Sequence, residues 1–304
     1  MYYLLALLCA ATISGMSAIN GQLSLSCDAF ASTVLIHVSG LIGITILALV
    51  RKEKLFLKER IRPALYLGGA IGVGTTIFNN AAYGHISLSA ILALGLFSQA
   101  VTSLVIDHFG LFHMPVRKFN PGKLVGFVFT LLGIACLFHG SSFVLLPVIF
   151  SLLTGITIVC SRSVNAELAE KSSVLVSTWY NYVVGLVTCS ILWIGAVFTG
   201  KSTFSITFSA PWWVYTGGLI GVVSVSLLNL VTKKMSAFIL TLIMFVGQLF
   251  TGILIDALTG DGFSTTYIIG GILTTLGLCF NLWLDRRFYG FSDVSKCDKV
   301  ETVN

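Results

Sequence analysis

Charge is what this chain lacks most. Asp, Glu, Lys and Arg make up 10% of its 304 residues, against 56% hydrophobic residues and a mean hydropathy of +0.96. A soluble globular chain carries about 25% charged residues, so a water-facing surface over most of this chain is excluded. Missing too are HExxH, GxSxG, a cysteine pair at metal-ligand spacing and a carboxylate dyad. Enzyme chemistry therefore has nothing to stand on, and neither a cofactor nor a metal site is expected. Of the seven cysteines, Cys9, Cys136, Cys160, Cys189 and Cys279 fall inside apolar runs, where they read as small buried hydrophobes, while Cys27 and Cys297 are isolated. No nucleotide-binding domain is present, which argues against direct ATP drive.

What the chain does have is apolar length. Ten runs stand out, at about 2–24, 30–50, 64–83, 86–107, 123–139, 142–162, 172–198, 211–232, 236–258 and 266–284. Crossing a bilayer core takes roughly 17–25 such residues. Lipid offers backbone groups no partners, so only helices or a closed barrel can span it, and runs this long mean helices. The expected fold is an all-α polytopic membrane protein with ten transmembrane helices. The first run reads as a retained span and not a cleaved signal peptide, because no basic region precedes it.

The few cations are unevenly spread. Of the 18 Lys and Arg residues, all but Lys201 fall on alternate links or the tail: Arg51 to Arg62, Arg117 to Lys123, Arg162 and Lys171, Lys233 and Lys234, and Arg286 to Lys299. By the positive-inside rule both termini lie in the cytoplasm. The net charge of +6 is thus a topology signal and not a nucleic-acid surface. Trp212 and Trp213, opening the eighth run, fit an outer aromatic belt.

The chain also repeats itself. Displaced by 145 positions, Asn20–Leu23 (NGQL) meets Asn165–Leu168 (NAEL) and Ser32–Leu41 meets Ser177–Leu186. Displaced by 149, YLGGAIGV at Tyr66–Val73 meets YTGGLIGV at Tyr215–Val222, and Asn80, Ser87, Gln99 and Asp107 meet Asn229, Ser236, Gln248 and Asp256. Displaced by 144, Gly126, Thr130 and Gly133 meet Gly270, Thr274 and Gly277. The expected organisation is two five-helix halves, 1–140 and 141–288, with a polar cytoplasmic tail at 289–304. Five is odd, so equivalent helices run in opposite directions, an architecture that recurs in secondary transporters with sites near mid-membrane.

Candidate site residues are the polar ones inside the spans. Gln99 and Gln248, eight positions deeper than Asp107 and Asp256 and so about 12 Å along a helix, are placed to line a central cavity. The aspartates are placed to guard its two mouths, and desolvation that raises a carboxyl pKa would let them carry protons; capping a helix end is their bland role. His37, the repeat partner of Tyr182, titrates in a range suited to proton handling. Asn80 and Asn229 read as links between helices. Trp179, Tyr180 and Tyr182 make the seventh span aromatic and polar together, suited either to packing or to an organic cation. Close glycines, as in Gly68–Gly74 and Gly217–Gly221, let helices approach one another.

Asn20-x-x-Leu23 at the end of the first span, a later Gly in the second, and Ser98-Gln99 followed by Ile106-Asp107-His108-Phe109-Gly110 resemble the YdcZ-type inner-membrane exporters of the drug/metabolite transporter superfamily. The resemblance covers both halves and implies a fused ten-helix form, in the bacterial inner membrane, that transports an undefined solute. Ser98 stands where the family motif has Gly, and the second copy ends IDALTG at Ile255–Gly260, so the two copies differ. Small multidrug transporters, more distant relatives, use a glutamate in their first helix, and none is present here.

The expectation is a secondary transporter of a small metabolite or drug-like solute by alternating access, with protons as candidate coupling ions and membrane lipids as its surroundings. A homo-oligomer is compatible with this. A non-transporting scaffold or a lipid scramblase built on the same bundle are the alternatives.

Overall fold

The computed structural model describes residues 1–55, 61–111, 116, 118–138, 144–204, 210–232, 237–260 and 265–289. They form ten α-helices, one for each apolar run: α1 (Tyr2–Cys27), α2 (Ala29–Val50), α3 (Gly68–Ala82), α4 (Leu88–Phe109), α5 (Lys123–Leu137), α6 (Leu145–Glu170), α7 (Val174–Phe198), α8 (Gly217–Thr232), α9 (Ala237–Thr259) and α10 (Thr265–Tyr289). No strand is found among the described residues. Seven helices are long and apolar enough to cross a membrane by themselves. Of the other three, α3 and α8 each continue a five-residue 3-10 turn, begun at Pro63 and Trp212. At 15 residues, α5 rises about 22 Å and lies along α10. The tail beyond Tyr289 and the cations Lys58, Arg60, Arg117, Lys233, Lys234, Lys296 and Lys299 fall outside the described residues, as does the side chain of Asn229.

Helix ends follow local chemistry. Asp28 ends α1 with a φ of 70° and starts α2, its carboxylate accepting from the Phe30 and Ala31 amides at 2.7 and 3.0 Å. Its other oxygen accepts from Ser202 Oγ at 2.7 Å. Ser87 and Ser173 cap α4 and α7 in the same way. Gly110, at φ 63°, ends α4 in the left-handed conformation that suits a helix stop.

Two helices run well past the sequence expectation: α10 ends at Tyr289 and not at 284, so Arg286 and Arg287 lie on a helix, and α6 departs furthest. The sixth span was expected to end at Arg162, but α6 continues to Glu170. No Gly or Pro interrupts SRSVNAELAE, so the helix persists after its apolar run is over. Its polar side packs inward: Ser161 Oγ donates to the Gly68 carbonyl at 2.8 Å, and Asn165 Nδ2 to Asn181 Oδ1 at 2.8 Å. Arg162 therefore belongs to a helix and not to a link.

Most of the larger helix contacts recur under exchange of α1–α5 with α6–α10, although α2 packs on α3 without an equal counterpart between α7 and α8 among the described residues. The pair α3 and α6 has its counterpart in α8 and α1, α4 and α6 in α9 and α1, α2 and α8 in α7 and α3; α5 meets its own equivalent α10, and α2 meets α7. Along α5 and α10, Gly126 lies against Gly277 and Gly133 against Gly270, each too close for an added Cβ. Matched positions pair in reverse order, so equivalent helices run antiparallel, and small residues permit the approach.

The bundle is apolar outside and polar inside. Leu4, Ile42, Ile46, Leu131, Ile191 and Ile272 are exposed, while Ser14, Ser32, Thr33, His37, Asn80, Gln99, Thr130, Ser151, Thr274 and Asn281 are buried. In water this distribution would be costly; in lipid it keeps the polar side chains away from hydrocarbon.

Candidate functional site

Gln99, Ser103 and Asp107 recur every four residues along α4 and so share one face. That face borders a cavity of about 230 Å³. Lys123 and Phe127 of α5, Val159 and Arg162 of α6, Thr241 and Phe245 of α9, and Leu278, Asn281 and Asp285 of α10 line the rest. Asp107, Lys123 and Asp285 belong to the helix ends that adjoin the Lys- and Arg-rich links, so the cavity occupies that basic end of the bundle. Gln99 lies two turns deeper.

The charges differ in how they are answered. Lys123, buried at the start of α5, pairs with Asp285 at 2.5 Å. Asp107 also has a partner. Arg162 has neither a hydrogen bond nor an ion pair among the described residues, and it exposes surface although it sits well inside α6. The Gln99 carboxamide, 9% exposed, has no hydrogen-bond partner among them either. Both polar atoms of the Asn281 side chain are buried and unpartnered. Unmade buried bonds cost about 1–3 kcal/mol each.

Asp256 sits at the opposite end of the bundle. Its carboxylate accepts from the Leu88 and Ser89 amides at 2.8 and 2.7 Å. It thereby caps α4 from α9, where the partial positive charge of a helix start favours an anion.

The remaining expected residues lie away from the cavity. Gln248 is absent from its lining, and its carbonyl accepts from Ser14 Oγ at 2.7 Å. His37 is buried, with Nδ1 at 2.8 Å from the Thr33 carbonyl. The Tyr182 hydroxyl donates to the Gly218 carbonyl at 3.2 Å, and Trp179 Nε1 to Thr45 Oγ1 at 3.1 Å. Tyr180 meets Tyr66 edge to face at 4.7 Å. Asn80 donates to Ser32 Oγ at 3.1 Å, joining α3 to α2. The structure thus brings Gln99 and Asp107 together and adds Lys123, Arg162, Asn281 and Asp285, of which the two cations look like link residues in the sequence. A signal existed for two of them: Asn281 interrupts an otherwise apolar stretch, and the unbroken helix formers after Cys160 carry Arg162 inside.

An apolar exterior over helices long enough to cross a bilayer, with polar side chains among the buried residues, is the pattern of a multi-pass membrane protein. The chain belongs to the family described as "Putative inner membrane exporter, YdcZ", whose model matches twice, over residues 1–136 and 146–280. No curated protein matches it. Fifteen solved chains do; one, a crystal structure, is similar over 94% of this chain and 96% of its own with a TM-score of 0.59 and 16% identity, a likeness of fold.

Proposed function

We propose that this chain is a secondary transporter that exports a small solute by alternating access. Its halves, 1–140 and 141–288, move against each other, both termini lie in the cytoplasm, and the cavity around Gln99 is the inward-facing binding site. The observation that carries this reading is an asymmetry along the bundle. One end holds a cavity with unanswered polar groups, while Asp256 fastens α9 to the start of α4 at the other. Lys and Arg cluster at the cavity end, which supports its facing the cytoplasm. At about 230 Å³ the cavity lies below the roughly 300–1,000 Å³ usual for drug-sized ligands, which favours a metabolite-sized solute.

Single-cysteine labelling tests this. Ser103→Cys, on the cavity wall, is expected to react with a membrane-impermeant maleimide in inside-out vesicles and to stay protected in intact cells, each measured against the parent protein. Combining it with Asp256→Asn is expected to open a fraction to labelling from outside. A double variant that stays closed to labelling from outside would defeat alternating access. Dye-lipid movement in vesicles without any gradient would favour a scramblase instead.

A further inference from the structure

We propose that the transported solute is a small organic anion, a carboxylate or phosphate head on a short apolar body, and that Arg162 binds the head. The inference rests on the reading of the cavity as the solute site. Of the four charged residues on the cavity wall, Lys123 is answered by Asp285 and Asp107 has a partner, which leaves Arg162 as the charge without a counterpart among the described residues. A basic side chain within a membrane span is costly to insert and marks function by default. A guanidinium presents a planar fork of donors that matches carboxylate and phosphate oxygens in pairs. Two further unanswered groups border the same space: the Gln99 carboxamide and the Asn281 amide, whose buried nitrogen is a donor with nothing to receive it.

The rest of the wall describes the rest of the ligand. Leu104, Phe127, Val159, Phe245, Leu278 and Leu282 surround the polar groups, so a body attached to the head meets hydrocarbon and aromatic faces. Among the described residues neither wall carboxylate is left free for a cation, because Asp285 is held by Lys123 and Asp107 has a partner. The asymmetry is also chemical. Displaced by 145, Arg162 corresponds to Ser17, so the first copy of the repeat has no matching cation at the opposite end. The anion would be held firmly at the cytoplasmic end and released at the other. A membrane potential negative inside would pull such a solute outward.

The test uses the full-length protein in nanodiscs of neutral phosphatidylcholine, with the arginine reagent phenylglyoxal and peptide-resolved mass spectrometry. Benzoate and inorganic phosphate are the anionic probes, and benzylammonium is the cationic match to benzoate. With a probe at about ten times its dissociation constant, modification of Arg162 is expected to slow about tenfold. Modification of Arg51 and Arg287 should be unchanged. Benzylammonium should have no effect, and Arg162→Gln should lose the thermal stabilisation by benzoate while Arg162→Lys keeps part of it. No protection by either anion, or equal protection by benzylammonium, overturns the proposal. So does protection that appears only when phosphatidylglycerol is added to the nanodisc and that benzoate does not relieve, since the occupant is then a lipid headgroup. Labelling of Ser103→Cys reads out side-switching without any ligand. Side-switching with no protection of Arg162 removes the anion alone, and absent side-switching removes the transport cycle.

Discussion

His37 and Tyr182 face each other at the centre of the bundle, ring centroids 5.9 Å apart and planes inclined at 69°. Each packs on a glycine of the other's helix: His37 on Gly185, and Tyr182 on Gly40. Positions related by the repeat thus make reciprocal contacts, as a two-fold axis between α2 and α7 requires. A Cβ at Gly185 would come 2.6 Å from His37 Cδ2 and Nε2, in a place where neither helix can retreat without disturbing α3 and α8.

Gly185→Ala is therefore expected to destabilise the protein by about 1–3 kcal/mol through overpacking. Gly185→Ala combined with His37→Ala should recover part of that loss, since the added methyl then has room. Unfolding midpoints of the purified single and double variants measure this. A Gly185→Ala protein as stable as the parent would mean that the helices are less closely packed than described.

Asp256 is expected to matter for the start of α4 before it matters for any proton. Asp256→Ala strands the Leu88 and Ser89 amides and should cost about 1–3 kcal/mol. Asp256→Asn keeps an acceptor but loses the charge at the helix start, for a loss of about 0.3–1 kcal/mol. Hydrogen exchange at the Leu88 and Ser89 amides should speed up in both variants, more in the first. Unchanged exchange would remove Asp256 as the fastening between α9 and α4.

Lys123 and Asp285 depend on each other. Either Lys123→Met or Asp285→Asn leaves a charge near the cavity without its partner, at about 1–3 kcal/mol or more. The exchanged pair Lys123→Asp with Asp285→Lys should regain most of the loss. Thermal unfolding of the three variants decides the matter, and an exchange no better than the singles would show that the pair's surroundings fix its polarity.

Both ends of the chain are expected on the cytoplasmic side. A fluorescent protein fused after Asn304 should glow and an alkaline phosphatase there should be inactive, while phosphatase inserted after Lys201 should be active. The opposite pattern would invert the bundle and put the cavity on the outside.

Ten helices could be read from hydropathy because lipid imposes one requirement on every span, and composition alone reports it. The repeat was legible because Asn20, Gln99, Asp107 and their partners are rare letters in an apolar text. Gln99 and Asp107 stood out as candidates because a polar residue deep in a span needs a reason. Arg162, Lys123, Asn281 and Asp285 were not recognised as its neighbours, since a cation next to the end of an apolar run looks like a link residue until the helix is seen to continue. Nor could the different surroundings of Gln99 and Gln248, identical letters in matching places, be told from sequence.

By itself, the sequence determined a membrane-embedded helical chain in two matched copies, because hydrophobicity and rare-residue spacing are local properties that every segment carries. Only the tertiary structure decided which charges are answered and which are not. An ion pair such as Lys123 with Asp285 joins residues far apart in the chain, and no local property of either announces the other.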